Sequence, residues 1–81
     1  MWYVYFLELK NSDIYVGSTD DLRRRVADHN KGSVASTKPF IPARLRSYVA
    51  IETEQRARRL EHYFKSGSGK AFAKKRFLAV D

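Results

Sequence analysis

The chain opens on Trp2–Leu9, a run of aromatic, β-branched and other apolar residues broken only by Glu8. That composition favours a strand. Alternation puts Tyr3, Tyr5 and Leu7 on one face and Trp2, Val4 and Phe6 on the other. Lys10-Asn11-Ser12-Asp13 has turn chemistry, and Ile14-Tyr15-Val16-Gly17 then reads as the returning strand of a hairpin. Thr19 or Asp20 is a suitable N-cap for a helix running to about Lys31, where Gly32 ends it. On that helix Leu22, Val26 and His29 recur at i, i+4 and i+7 and share one face. Arg25 falls on the same face, whereas Arg23 and Arg24 point outward.

Residues 32–42 form a polar loop. A third strand is expected over Arg44–Ile51, with Leu45, Tyr48, Val49 and Ile51 as its apolar content. Thr53 can cap a second helix ending near Lys65. Its apolar stripe is Ala57, Leu60 and Phe64, and Glu61 lies within that stripe. Ser66-Gly67-Ser68-Gly69 breaks the helix, and a short basic helix follows from about Lys70. No internal repeat or low-complexity linker interrupts this β-β-α-β-α-α order.

Eighty-one residues suit one small domain, 1–81, with a single modest core and no room for a separate DNA-reading module. The 16 Lys and Arg outnumber the 9 Asp and Glu, for a formal charge of +7. So basic a short chain suits a polyanionic partner, although a structural protein in ribosome or partner contact would share the charge. Cysteine is absent, which excludes a disulfide framework and a thiolate zinc site. The apolar opening is too short to span a bilayer and lacks the basic start of a signal peptide, so a cytoplasmic protein without membrane contact is expected.

Candidate chemistry concentrates at few positions. A carboxylate in an apolar helical stripe is costly unless it is paired or bound to a metal. Glu61 therefore pairs with an arginine such as Arg25, or ligates a divalent ion such as Mg²⁺ together with water and substrate phosphate. Arg25 has the two-donor fork suited to phosphate charge. Tyr5 and Tyr15 are either core residues or phenols near an attacking water; with a pKa of about 10, a phenol needs a neighbouring cation to act as a base. His29, one turn from Arg25, is either structural or a proton relay. His62 is adjacent to Glu61 and must point away from it. The Lys65–Gly69 segment is either a hinge or a helix start able to hold a phosphate. Arg23, Arg24, Lys38, Arg56, Arg59, Lys65, Lys70, Lys74, Lys75 and Arg76 are candidates for a salt-sensitive grip on nucleic acid.

Tyr3-Val4-Tyr5, Tyr15-Val16-Gly17, Arg25 ten positions after Tyr15, and the later Glu61 together resemble the GIY-YIG nuclease family. The resemblance is to its small stand-alone members, which share the tyrosine in place of the first glycine. It covers nearly the whole chain. It implies a small α/β domain, a three-stranded antiparallel sheet flanked by helices. It also implies a divalent-metal-dependent DNA endonuclease, active in DNA repair or recombination, leaving a 5′-phosphate and a 3′-hydroxyl.

On that resemblance Tyr5 moves a proton, Tyr15 and His29 support it, Arg25 stabilises the transition state, and Glu61 binds Mg²⁺ or Mn²⁺. DNA would be read by structure or with weak sequence specificity, unless a protein partner or homodimer supplies more. The family's late asparagine has no counterpart, since Asn11 and Asn30 both fall too early. A non-catalytic basic nucleic-acid-binding module is the alternative.

Overall fold

A computed structural model describes residues 1–78; residues 79–81 of the expected 1–81 domain lie outside the described residues. Strands β1 (Trp2–Glu8), β2 (Ile14–Thr19) and β3 (Arg44–Ile51) form one antiparallel sheet in the order β2-β1-β3. Helices α1 (Leu22–Asn30), α2 (Glu54–Phe64) and α3 (Gly67–Arg76) complete the β-β-α-β-α-α order, with a short 3-10 turn at Lys38–Phe40 before β3.

The central position of β1 explains its composition. Val4, Tyr5, Phe6 and Leu7 are all buried, so both faces of the strand are covered. Val4, Phe6 and Val16 meet Ala57, Phe64 and Ala73 of α2 and α3 on one face, with the Phe6 and Phe64 rings 5.0 Å apart. Tyr5 and Leu7 cluster on the other with Leu9, Ala43, Tyr15, and Leu22 and Val26 of α1. The alternation expected from sequence therefore sorts side chains between two apolar layers, not between core and water.

The hairpin closes as its residues predict: Ser12 adopts φ 72°, and the Asn11 amide oxygen accepts from the Asp13 N–H. At the far end of β1, Glu8 Oε1 accepts from Arg44 (2.7 Å) and Arg46 (2.8 Å), clasping β1 to β3.

Three local expectations are corrected. The N-cap of α1 is Asp21, whose carboxylate accepts from the Arg24 N–H (3.1 Å), because β2 runs on to Thr19. Helix α3 starts at Gly67 and not near Lys70, since Ser66 caps it by accepting from the Gly69 N–H. Gly69 is needed where α3 crosses the end of α2: a Cβ there would lie 2.6 Å from the Tyr63 carbonyl carbon and 2.9 Å from the Phe64 Cα. The apolar content expected of β3 is only half used. Val49 and Ile51 are partly buried, but Leu45 and Tyr48 (52% exposed) line an open cleft against α1 with Tyr3, Leu22 and Val26.

Candidate active site

The site begins with a pairing inside the sheet. Tyr5 on β1 faces Gly17 on β2, and the Tyr5 ring lies across that glycine. A Cβ at position 17 would meet the Tyr5 hydroxyl and stand 2.6 Å from Cζ. The absent side chain is the lane through which the phenol passes. Beyond it the Tyr5 hydroxyl reaches His29 Nε2 at 2.9 Å. The other ring nitrogen, Nδ1, lies 2.8 Å from Thr37 Oγ1. His29 and Thr37 have no exposed surface, and Tyr5 keeps 1%. The Tyr15 ring, half-buried, stands edge-on to His29 with centroids 5.0 Å apart.

Arg25, half-buried on the same helix face, lies beside the Tyr5 hydroxyl. Its electrostatics and those of its neighbours agree. Burial pushes the Tyr5 phenol up to about 12, against the pull of Arg25. The nearby Tyr15 and Glu61 charges add to the rise. Burial, then the Arg25 charge, pushes His29 below its ordinary value, with Asp28 opposing. The Tyr5 contact and the two phenols keep Arg25 firmly protonated. At neutral pH the group is a neutral phenol, a neutral imidazole and a cation.

Glu61 approaches from the opposite layer. It lies on α2, and its Oε1 accepts from the Ser18 hydroxyl at 2.5 Å. Oε2 accepts from Lys65 Nζ at 2.8 Å. Ser18 pairs with Val4 and so faces α2, while its neighbour Gly17 pairs with Tyr5 and faces α1. The two halves of the site therefore meet around the free edge of β2. Burial raises the Glu61 carboxyl, but Lys65, Ser18 and the Arg58 charge outweigh it and hold the group below the usual carboxylate range. The ion pair offered as the alternative to metal ligation forms with Lys65 and not with an arginine such as Arg25: Lys65 lies one helical turn along from Glu61 and is better placed than a residue on α1.

Ser18, Thr37 and the Lys65 contact were not singled out from sequence. The Glu61-to-Lys65 spacing and strand alternation at Ser18 carried usable signals. Thr37 carried none, standing among other small polar loop residues.

The candidate nucleic-acid contacts spread over several places. Lys65, Lys70 and Lys74 line a cleft of about 680 Å³ with Tyr15, beside the site. Arg23 and Arg24 line one of about 730 Å³ with Tyr3 and Tyr48. Arg56 and Arg59 line a third, of about 490 Å³. Lys38 is exposed on the 3-10 turn, and Lys75 and Arg76 are exposed on α3. His62 is exposed, and Asn30 is structural: its side-chain amide bonds the Ala43 backbone at both ends (2.7 and 3.0 Å). No helix among the described residues is long and apolar enough to cross a membrane.

These features define a class: a small α/β domain with two tyrosine motifs on adjacent strands and helices on both faces. Residues 1–76 match the GIY-YIG catalytic domain, and the chain belongs to the GIY-YIG family, a nuclease family whose members generally use divalent metal ions. It is similar to a UPF0213 protein of Streptococcus agalactiae, 36% identical over 70 residues, covering 85% of this chain and 80% of that one. A UPF0213 protein of Haloquadratum walsbyi is 37% identical over 65 residues, covering 79% and 73%. The NMR structure of a UPF0213 protein from Bacillus halodurans superposes with a TM-score of 0.59 at 32% identity, covering 95% of this chain and 87% of that one.

Proposed function

We propose that this chain is a divalent-metal-dependent endonuclease that hydrolyses phosphodiester bonds in DNA, with a role in DNA repair or recombination. One observation carries the reading: the buried Tyr5–His29 pair, with Arg25 beside its phenol and the ionised Glu61 across the β2 edge.

Water donates a proton to Tyr5 Oη as the Tyr5 proton passes to His29 Nε2. The water oxygen attacks phosphorus, the bond from phosphorus to the 3′ oxygen breaks, and a solvent water at the cleft protonates that oxygen, giving a 3′-hydroxyl and a 5′-phosphate. Half-buried Tyr15 orders the water at the cleft. Arg25 neutralises the charge that builds on the phosphoryl oxygens, where a fixed two-donor cation is worth most. Lys65, Lys70 and Lys74 hold the backbone leading into the site.

Glu61 fits a hard divalent ion on one condition. The donor set is a single ionised carboxylate, so water and substrate phosphate must supply the other oxygens, as suits Mg²⁺ or Mn²⁺. Lys65, on a half-exposed side chain, would swing from Glu61 to phosphate. When bound, the ion would supply positive charge at the scissile phosphate.

The test is cleavage of flap, junction and nicked duplex DNA with Mg²⁺ or Mn²⁺, which also reads structure-selectivity against weak sequence specificity. Glu61→Gln is expected to abolish cleavage while DNA binding stays near wild type. DNA binding without cleavage of any substrate would leave the non-catalytic binding module. Full cleavage by Glu61→Gln would remove the metal role. Sedimentation of the DNA complex would show whether a homodimer forms on the substrate.

A further inference from the structure

Thr37 departs from the usual behaviour of its position. It is the N-cap of the 3-10 turn, where a threonine hydroxyl ordinarily accepts from a helix N–H. Here it makes no capping bond. Its backbone is fixed at both ends: the Thr37 N–H donates to the Val34 carbonyl (3.1 Å), and the Thr37 carbonyl accepts from the Phe40 N–H (2.9 Å). The hydroxyl turns inward, fully buried, to His29 Nδ1.

Proton accounting gives the orientation of this chain. The Thr37 hydroxyl has one proton, and the Val34 carbonyl, 3.4 Å away, is a pure acceptor. With that proton directed to Val34, whose carbonyl also accepts from the Thr37 and Lys38 N–H groups, the threonine oxygen accepts from Nδ1–H, and Nε2 carries a bare lone pair. The other end points the same way. The positive Arg25 guanidinium beside the Tyr5 hydroxyl repels the phenol proton, which favours turning it toward Nε2. The groups facing the imidazole are Tyr5 from β1, Tyr15 from β2, Thr37 from the loop, and Arg25 and Asp28 on its own helix. None of them asks for a proton on Nε2.

We infer that Thr37 is a positioning residue: it fixes His29 in the Nδ1–H tautomer and thereby makes Nε2 the acceptor for the Tyr5 proton. The assignment rests on the nuclease reading for its consequence, but the tautomer itself is a property of the free protein. The same bond serves the protonated ring, because an imidazolium donates from both nitrogens and Thr37 is already its acceptor. No group has to turn when the proton arrives.

The experiment is long-range proton–nitrogen NMR of the imidazole, at neutral pH without DNA, paired with cleavage kinetics. Wild type should hold the Nδ1–H tautomer; a proton on Nε2 would overturn the inference without any variant being made. Thr37→Val keeps the shape and removes the acceptor, so His29 should move toward the Nε2–H form. Its turnover should fall about ten- to a hundredfold, the usual loss when an orienting partner is removed, with KM little changed. Thr37→Ser restores the hydroxyl and should restore both readouts. An unchanged tautomer and turnover in folded Thr37→Val would overturn the inference. If wild type cleaves nothing, the nuclease reading fails, and the spectra still decide what Thr37 does to His29.

Discussion

Replacing Gly17 with alanine tests the link between the sheet and the site most directly. The new Cβ would meet the Tyr5 hydroxyl, 2.6 Å from Cζ and 3.0 Å from Cε1. Ordinary carbon contacts lie at about 3.5–4.0 Å, so the overlap is on the order of 1 Å. A flexible surface side chain would simply move. Tyr5 cannot: it is 1% exposed, and its hydroxyl is bonded to buried His29. The backbone cannot open either, because residues 5 and 17 are partners in the β1–β2 ladder. Overpacking costs about 1–3 kcal/mol, and breaking the Tyr5–His29 bond adds about 1 kcal/mol.

The expected destabilisation from Gly17→Ala is therefore about 2–4 kcal/mol. For a chain of this size that lowers Tm by roughly 10–25 °C. Urea unfolding with constant m gives the free energy. Gly67→Ala is the internal control. It sits in the first turn of α3 with nothing within 4 Å of its Cβ, and should gain about 0.5–1 kcal/mol from helix propensity. Tyr5→Leu should make Gly17→Ala much less costly, giving a coupling of about 1 kcal/mol or more. A Gly17→Ala protein within about 0.5 kcal/mol of wild type would refute the lane argument and the fixed position of the Tyr5 ring.

Gly69→Ala should destabilise more than Gly17→Ala, since the obstacle is the backbone of α2 at Tyr63 and Phe64; equal stability in urea would mean that α3 is free to shift. Arg25→Lys keeps the charge but loses the fork, so turnover should fall by about 10²–10³, whereas Arg23→Ala and Arg24→Ala, both exposed, should act chiefly on DNA affinity; equal losses of turnover in all three would sink the inward reading of Arg25. His29 is held neutral in the fold, so below a pH of about 6.5 the unfolded chain takes up a proton that the folded one resists. Stability should then fall as pH drops, by up to about 1.4 kcal/mol per unit. Unfolding at pH 7 and pH 5.5 measures it, and a wild-type slope no steeper than that of His29→Gln would refute it.

What was legible in the sequence was whatever a short-range pattern could express. The hairpin strands, the inward face of α1 with Arg25 and His29, and Glu61 in the stripe of α2 all follow from periods of two or 3.6, while the two tyrosine motifs on those strands were legible through the family resemblance. The element order followed with them. The misplacements came where one residue type served two purposes. Thr19, Asp20 and Asp21 are all acceptable caps, and the extra length of β2 decided for Asp21. Ser66-Gly67-Ser68-Gly69 has the composition of a break, yet the serine caps and the second glycine packs, so the helix starts inside it.

The contacts that no local pattern contained are those that cross the sheet. Alternation along β2 sends Gly17 toward α1 and Ser18 toward α2, so two consecutive residues serve opposite halves of one site: the first clears the Tyr5 ring, the second bonds Glu61. This works only because β2 is an edge strand. In the centre of the sheet the two faces would be separated by a hydrogen-bonded neighbour, and the Tyr5 side and the Glu61 side would share no open border. On the proposed reading, the strand order β2-β1-β3 is thus part of the chemistry as well as of the core. It covers β1, which carries the fully buried phenol, and leaves free the strand around which, in the proposed nuclease, a phosphate would meet both Arg25 and Glu61.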